Sequence, residues 1–286
     1  MTRIVETPAA FRGALEVARA MGHRVGFVPT MGALHDGHLA LVSEARSQGA
    51  SFVAVSLFVN PTQFGPSEDF TRYPRTLEAD LARCRDAKVD VLFTPTRESM
   101  YPSGFSSVVE VKALTEVLEG VHRPGHFAGV TTIVCKLFGL AAPCIAVFGR
   151  KDYQQWKVIA RMTRDLDLPV EIAAMPTVRE PDGLALSSRN RYLSDDERKR
   201  ALGIARGIRA AMRAFEAGER KAASLAALAR AEIQPAFDTI DYVEIADPET
   251  LEPVDRTGER ALLVVAAKIG KTRLIDNAVL GEDRMP

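Results

Sequence analysis

Hydrophobic and polar positions alternate along the first two-thirds of the chain in blocks typical of strands and helices. Short apolar, β-branched runs predict buried strands, and apolar residues three and four positions apart predict the helices between them. The predicted strands are Val25–Pro29, Ser51–Val59, Val89–Thr94 and Ile145–Phe148. The predicted helices are Ala9–Met21, His38–Gln48, Thr76–Ala87 and Thr131–Leu140. This β-α-β rhythm predicts an α/β fold, an open parallel sheet with helices on both faces.

The last third of the chain has a different pattern. A long Arg-rich helix is predicted over Asp195–Ala217, with Ser194 or Asp195 as its N-cap and Gly218 as its stop. A second helix is predicted over Lys221–Ile233. Three short apolar runs then predict a small antiparallel sheet: Tyr242–Ile245, Leu262–Ala267 and Arg273–Asp276. We therefore predict two domains, residues 1–178 and residues 179–286, with the polar loop Arg179–Asn190 as a hinge.

Composition restricts the class of protein. The chain has 286 residues, 37 Lys and Arg against 37 Asp and Glu, and therefore a net charge of zero. This balance argues against a general nucleic-acid binder, which needs a surplus of cations. Cys84, Cys135 and Cys144 are scattered, so we expect buried thiols rather than a disulfide framework or a zinc site. No signal peptide or membrane-spanning run is found, and we expect a cytoplasmic protein.

Two histidines follow the first long predicted strand. His35 and His38 stand in the Gly-punctuated stretch Met31–His38, where a strand gives way to a helix. Backbone N–H groups and the positive end of a helix dipole favour anionic oxygens at such a place. The histidines could instead be two satisfied surface residues or a metal pair, for which only Asp36 supplies a further ligand nearby. The stretch therefore predicts chemistry at a phosphate group.

Four further motifs carry polar side chains at predicted strand or helix ends. Gln63 follows an Asn-Pro turn, and Lys151 and Gln155 lie one helical turn apart after another strand. The loop Asp182–Asn190 holds hydroxyls and a guanidinium, which are good oxyanion donors. Asp80, in a predicted helix, could hold Mg²⁺ beside phosphates. Each motif also has an interpretation without ligand binding. Gln63 could cap a turn, and Lys151 and Gln155 could belong to a charged surface turn. The loop could be a linker before a helix, and Asp80 could lie on a solvated helix face.

Taken together, these segments resemble the pantothenate synthetase family, adenylate-forming ligases of the nucleotidyltransferase superfamily. The matching stretches are Val28–His38, Phe58–Phe64, Tyr73–Asp80, His122–Val130, Phe148–Gln155 and Asp182–Arg191, in the family's order. The resemblance implies a Rossmann-like N-terminal domain with a smaller α+β domain. It also implies that ATP activates pantoate as pantoyl adenylate, which β-alanine then attacks to give pantothenate and AMP.

The resemblance also implies roles for individual residues. His38 and His35 are the catalytic pair, and Gln63 and Gln155 bind pantoate, with Gln63 also near β-alanine. ATP would be bound by Met31, Gly32, Ala33, Leu34, His35, Asp36, Gly37, His38, Gly149, Arg150, Lys151, Asp152, Val178, Leu186, Ser187, Ser188 and Arg189. Asp80 matches the family's Mg²⁺ residue, and Asn60 and His126 stand in motifs that line the substrate cleft. The family suggests a homodimer.

One position departs from the family pattern. Arg150 stands between Gly149 and Lys151, where a Glu or Gln is expected, so the charge beside the nucleotide differs. Two other functions stay open at this point. One is a related nucleotidyltransferase acting on a phosphate ester such as phosphopantetheine, which would not need both Gln63 and Gln155. The other is a nucleotide-binding sensor without catalysis, which would not need the two histidines.

Overall fold

The computed structural model of the protein describes residues 2–66 and 68–286. Its strands are β1 Arg3–Val5, β2 Val25–Thr30, β3 Phe52–Leu57, β4 Val91–Phe93, β5 Cys144–Gly149, β6 Val170–Met175, β7 Thr239–Ala246, β8 Ala261–Ile269 and β9 Thr272–Leu280. Its α-helices are α1 Pro8–Ala20, α2 Asp36–Ser47, α3 Leu77–Asp86, α4 Arg97–Met100, α5 Glu119–His122, α6 His126–Ala141, α7 Tyr153–Asp165, α8 Asp195–Glu216 and α9 Ala222–Ile233. None of the helices in the described part is long and apolar enough to cross a bilayer.

The described chain divides into two compact units. The first contains the residues through Thr115, Arg123–Arg150 and Gln155–Met175. The second contains Glu116–His122, Lys151–Gln154 and the residues from Pro176 onward. Two short segments that lie early in the chain thus belong to the second unit. The domain boundary after Val178 stays a prediction.

The first unit is built on a parallel sheet with strand order β1-β4-β3-β2-β5-β6. Successive side chains of a strand point to opposite faces, and both faces are covered. Phe27 of β2 packs in the cluster that contains Phe11 of α1 and Phe138 of α6. Its neighbour Val28 packs on the other face with Val42 of α2. The predicted α/β architecture is confirmed.

Strand β2 lies at the switch point of this sheet. The chain proceeds from β2 to β3 and β4 in one direction, and β5 and β6 lie on the other side of β2. Ligands of open α/β sheets bind beyond the carboxyl ends of the strands at such a point. The segments after β2, β3 and β5 all leave from this edge, because the strands are parallel.

The second unit has an antiparallel sheet in the order β7-β8-β9, as predicted. Its core includes Ile208 of α8, Leu225 of α9 and Leu263 of β8. Ser194 is the N-cap of α8, where its hydroxyl accepts the Glu197 N–H and its own N–H donates to the Glu197 carboxylate. Of the two predicted N-cap residues, Ser194 and Asp195, this capping box identifies Ser194 as the N-cap.

The cysteines are thiols in the described structure. Cys84 and Cys144 are buried, as predicted, and Cys135 is half-buried. Burial raises the pKa of both buried thiols to about 12, with the Asp80 carboxylate adding to the effect at Cys84. These two thiols therefore stay protonated and pack as small apolar side chains.

Candidate active site

The predicted histidine pair lies at the start of α2. His35 is the N-cap residue, and the rings of His35 and His38 lie 4.0 Å apart between centroids. The backbone N–H of His35 donates to Nδ1 of His38 over 3.3 Å. Because Nδ1 accepts this bond, a neutral His38 carries its proton on Nε2. That N–H can donate to an oxyanion brought to the helix start.

The backbone before the histidines has an unusual conformation. Gly32 has φ +89° and Ala33 has φ +51°, both in the left-handed region. The Gly32 N–H donates to the Thr30 hydroxyl oxygen at 3.1 Å. The N–H groups of Ala33 and Leu34 donate to the two carboxylate oxygens of Asp80, at 2.9 and 2.7 Å. The turn is therefore held by side chains on both sides of it.

Gln63 is held at the end of a short 3₁₀ segment, Pro61–Gln63, that follows β3. Its side chain is 9% exposed. The Asn60 amide donates to Oε1 of Gln63 at 3.2 Å, and Nε2 of Gln63 contacts Sδ of Met31 at 3.1 Å. The structure thus brings Gln63 to Met31, the first residue of the stretch Met31–His38, called here the histidine turn. The shared edge of the sheet predicts this proximity.

Asn60 serves as a support for this segment. Its amide also donates to the Gly129 carbonyl oxygen at 3.0 Å, and its own oxygen accepts from the Tyr101 and Thr62 hydroxyls at 2.8 and 3.0 Å. With two donors and two acceptor positions, the Asn60 amide is fully used by the protein. These bonds fix Asn60 and, through it, the side chain of Gln63.

A second support reaches the backbone of Gln63. Its carbonyl oxygen accepts from Nδ1 of His126 at 2.8 Å. Arg123 approaches Nε2 of the same ring at 2.9 Å, and since a guanidinium can only donate, His126 is neutral with its proton on Nδ1. His126 is 8% exposed. The ring therefore holds the Gln63 backbone, and a place for His126 in the substrate cleft stays a prediction.

The Arg123 guanidinium is itself anchored. It forms two parallel hydrogen bonds with Glu68, at 2.6 and 2.7 Å. Burial acts to raise the pKa of Glu68, but the hydrogen bonds and charge of Arg123 outweigh it and hold the pKa below its ordinary value. The Glu68–Arg123–His126 chain therefore remains charged at its outer end and neutral at the ring that contacts Gln63.

The segment after β5 carries further predicted residues. Gly149 ends β5 and Arg150 opens the 3₁₀ segment Arg150–Asp152. Gln155 lies half-buried in the first turn of α7, within the first unit. Its proposed contact with pantoate stays a prediction.

Lys151 and Asp152 belong to the second unit. The Lys151 ammonium lies 3.6 Å from the Asp152 carboxylate, and its side chain is 19% exposed. The backbone carbonyl of Lys151 accepts from the Asn277 amide at 2.8 Å. Asn277 therefore fixes the backbone from which the lysine extends.

Strand β9, which carries Asn277, also holds the polar loop Arg179–Asn190. Arg179 donates to both carboxylate oxygens of Asp276, at 2.6 and 3.0 Å. The Leu186 N–H donates to the Val178 carbonyl oxygen at 2.9 Å. That oxygen keeps a second lone pair. The Ser187 hydroxyl accepts the Arg189 N–H at 3.2 Å and caps the 3₁₀ segment Ser188–Tyr192. These bonds hold the loop in one conformation, in which Ser188 is buried and Arg189 is half-buried.

A buried ionic cluster in the second unit was absent from the sequence predictions. Arg273 donates to both oxygens of Glu119 at 2.6 and 2.8 Å and to Asp241 at 2.7 Å. Tyr242 donates to Glu119 at 2.6 Å, and burial followed by the Glu119 charge raises the pKa of this phenol. The Glu119 N–H donates to the side chain of Gln154. The cluster connects the short segments carrying Glu119 and Gln154 to the antiparallel sheet.

No local signal could have revealed these supporting residues. Glu119 and Arg273 are 154 positions apart, and Gln63 and His126 are 63 positions apart. Glu119 and Arg273 look like ordinary charged residues in the sequence, and the resemblance that singles out Gln63 and His126 does not pair them. Only the packing of distant helices and strands makes them neighbours.

Comparisons with known proteins agree over nearly the whole chain. The pantoate-beta-alanine ligase family model matches residues 3–279. Pantothenate synthetase 1 of Bradyrhizobium diazoefficiens is 53% identical over 97% of this chain and 98% of its own length. The pantothenate synthetase of Moorella thermoacetica is 52% identical over 97% and 98%.

Solved structures give the same result. A pantothenate synthetase from Thermus thermophilus has a TM-score of 0.91 and 48% identity, covering 96% of this chain and 98% of its own. A pantoate-beta-alanine ligase from Francisella tularensis has a TM-score of 0.81 and 33% identity, with both chains fully covered. Family model, relatives and fold therefore agree with one another, and the chain belongs to the pantoate-beta-alanine ligase family.

Proposed function

We propose that this chain joins pantoate to β-alanine at the expense of ATP. It is a ligase by family, and its curated relatives are pantothenate synthetases at about half identity over nearly their full length. The observation that carries the proposal is the position of Gln63. A buried carboxamide lies 3.1 Å from Met31, the first residue of the histidine turn, and is held by Asn60 at its side chain and by His126 at its backbone. It offers a donor and an acceptor to an acid that carries a carboxylate and hydroxyls.

In the first step a pantoate carboxylate oxygen attacks the α-phosphorus of ATP. The new C(O)O–P bond forms as the bond to the β-phosphate bridging oxygen breaks, which releases pyrophosphate. Negative charge accumulates on the non-bridging oxygens in the transition state. His38, which carries its proton on Nε2 because Nδ1 accepts the His35 N–H, and the start of α2 stabilise that charge.

In the second step the β-alanine amine attacks the acyl carbon of the adenylate. The C–N bond forms, the amine loses a proton, and AMP leaves with the bridging oxygen. The Francisella tularensis relative is described as a complex with β-γ ATP and β-alanine. We assign β-alanine in this chain to the neighbourhood of Gln63, and pantoate to Gln63 and Gln155.

Nucleotide binding is assigned to several segments. They are Met31–His38, Gly149–Asp152, Val178 and Leu186–Arg189. In support of this assignment, Lys151 extends from a backbone fixed by Asn277, and the loop before Arg189 is braced by the Arg179–Asp276 pair. Arg150 adds positive charge beside the nucleotide, and its effect falls on ATP affinity rather than on the chemistry.

Magnesium is implied by the resemblance and stays a prediction. No group of three or more His, Cys, Asp or Glu side chains within residues 2–66 and 68–286 could hold a metal ion. The Asp80 carboxylate is 2% exposed and both of its oxygens accept backbone N–H groups. These residues do not fit a magnesium site held by the protein at Asp80. A homodimer and a cytoplasmic location also stay predictions of the resemblance.

A steady-state assay tests the proposal. With pantoate, β-alanine and ATP together, AMP and pyrophosphate are expected in equal amounts, and omission of either organic substrate abolishes turnover. His38→Ala is expected to lower kcat by about 10²–10³-fold, the usual loss for one transition-state donor. Formation of ADP, or turnover with phosphopantetheine instead of pantoate, contradicts the proposal.

A further inference from the structure

The Asp80 side chain contacts the backbone of the histidine turn. Its oxygens accept the N–H groups of Ala33 and Leu34 at 2.9 and 2.7 Å, although Asp80 lies 47 and 46 positions away on α3. Hydrogen bonds from backbone N–H groups to an ionised carboxylate are stronger than those between neutral groups. One buried side chain thus holds two successive peptide units of the turn.

The conformation that Asp80 holds is one that the chain would avoid by itself. Ala33 has φ +51°, in the left-handed region that an L-residue with a Cβ rarely adopts. A Cβ added at Gly32 would lie 3.2 Å from an Asp80 oxygen, so the carboxylate is also in close contact with that residue. This arrangement directs two N–H groups inward, toward α3.

The N–H groups of the turn are consequently divided between two tasks. Those of Gly32, Ala33 and Leu34 donate to Thr30 and to Asp80. The oxyanion donors therefore come from the following residues, the His35 and His38 side chains and the first turn of α2. A shift of the Gly32–Leu34 backbone would displace both rings.

The surroundings of Asp80 do not suit a hydrated cation. The carboxylate is 2% exposed and lines a cavity of about 320 Å³, whose walls include Phe58, Phe70 and Leu77. Mg²⁺ gives up its water reluctantly and requires near-ideal octahedral geometry. Both Asp80 oxygens are already bonded to the backbone, and the cavity lining adds the cations Arg75 and Arg97 but, among the described residues, no second carboxylate.

We propose that Asp80 is a positioning residue for adenylation, which fixes Gly32–Leu34 and thereby His35 and His38, and that it is not a magnesium ligand. The inference rests on the proposed function for its catalytic consequence. Its structural half, the protection of the Ala33 and Leu34 amides by Asp80, is independent of that function.

The test compares Asp80→Asn with Glu78→Gln, which removes an exposed charge from the same helix turn. An Asn side chain presents an NH₂ group to one of the two N–H donors. In the protein without nucleotide or metal, amide hydrogen exchange at Ala33 and Leu34 is expected to accelerate at least tenfold in Asp80→Asn and to stay unchanged in Glu78→Gln. Unchanged exchange in Asp80→Asn overturns the proposal.

Kinetics provide the second measurement. For Asp80→Asn, kcat is expected to fall by about 10²-fold, the size of effect that small misplacements of catalytic groups produce. The KM for pantoate and the free Mg²⁺ concentration giving half-maximal rate are expected to change less than twofold. A tenfold higher Mg²⁺ requirement, or an unchanged kcat, overturns the proposal.

Two further measurements guard against a variant that fails to fold. In the unaltered protein, the Ala33 and Leu34 amides are expected to exchange at least about 10²-fold more slowly than unprotected amides; exchange at the unprotected rate overturns the proposal. The double variant Ala33→Gly/Asp80→Asn is expected to recover at least threefold of the lost kcat, because glycine adopts positive φ without support; no recovery overturns it. If the unaltered protein makes no AMP, the proposed function fails, while the exchange data still decide the role of Asp80 in the turn.

Discussion

The Nδ1–H of His126 donates to the backbone carbonyl oxygen of Gln63 across 2.8 Å. His126 opens α6, and Gln63 ends the short segment after β3. The bond connects Gln63, which is proposed to bind pantoate, to α6 beside the sheet. We therefore expect His126 to affect pantoate binding through the position of Gln63.

His126→Ala is therefore expected to raise the KM for pantoate at least fivefold and to change the KM for ATP less than twofold. The lost partner leaves a buried carbonyl poorly satisfied, which lowers the free energy of unfolding by about 1–3 kcal/mol. His126→Asn, whose amide N–H stands near the position of Nδ1–H, is expected to restore most of the affinity. Equal changes in both KM values would contradict this role.

Gly129 of α6 permits close contact with the segment that carries Gln63. A Cβ at this position would lie 2.4 Å from the Thr62 carbonyl oxygen, whereas a Cβ at Gly139 of the same helix would meet nothing within 4 Å. Gly129→Ala is expected to lower the free energy of unfolding by about 1–3 kcal/mol through overpacking and to weaken pantoate binding. The matched control Gly139→Ala is expected to gain about 0.5–1 kcal/mol, since alanine is the better helix former. Urea unfolding of both variants measures the contrast, and equal stabilities would refute it.

The Glu68–Arg123 pair predicts a pH dependence of stability. Folding lowers the pKa of Glu68 below its ordinary value of 4.5. Its contribution to the free energy of unfolding is therefore complete above pH 4.5 and is lost as the pH falls through the lower pKa of the folded state. Glu68→Gln is expected to be less stable than the unaltered protein at pH 7, with the difference shrinking below pH 4.5. Unfolding experiments from pH 7 to pH 3 measure it, and a difference that grows toward acid pH would be inconsistent with the pair.

The buried cluster in the second unit predicts a large stability loss. Glu119 and Arg273 are 8% and 21% exposed. Removal of Glu119 takes two hydrogen bonds from the Arg273 guanidinium, which keeps Asp241, and takes the acceptor of the buried Tyr242 hydroxyl. Glu119→Ala is expected to lower the free energy of unfolding by about 3–5 kcal/mol. The exposed pair Arg206–Glu232, with side chains 45% and 46% exposed, provides the control: Glu232→Ala is expected to cost less than about 1 kcal/mol. Similar losses for the two variants would show that burial does not govern these pairs.

The strands that were predicted and those that were missed differ in their surroundings. The run Val25–Pro29 indicates a strand because it belongs to a central strand buried on both faces, which needs a continuous apolar sequence. The edge strands Arg3–Val5 and Val170–Met175 were not predicted. Each has one neighbouring strand, and most of its residues are not buried, so its sequence shows neither a long apolar run nor a clear alternation.

The site follows the same division between local and distant information. The proximity of His35 and His38 was predictable because three-residue spacing at a helix start brings side chains together. The contacts of Asp80 with the turn were not, because they depend on how α3 packs beside β2. The spacing of Lys151 and Gln155 predicts a helical turn after β5, but the sequence analysis does not extend it into the helix α7, Tyr153–Asp165. Sequence patterns thus identified the candidate ligands, and the tertiary fold identified the residues that hold them.

Adenylation of the pantoate carboxylate is the central claim, and oxygen-18 in that carboxylate tests it most directly. If the carboxylate attacks the α-phosphorus and the amine then displaces AMP, one labelled oxygen must leave with AMP. Mass spectrometry of the products is therefore expected to find one oxygen-18 in each AMP and none in pyrophosphate. Unlabelled AMP, or label in inorganic phosphate released with ADP, would contradict the account.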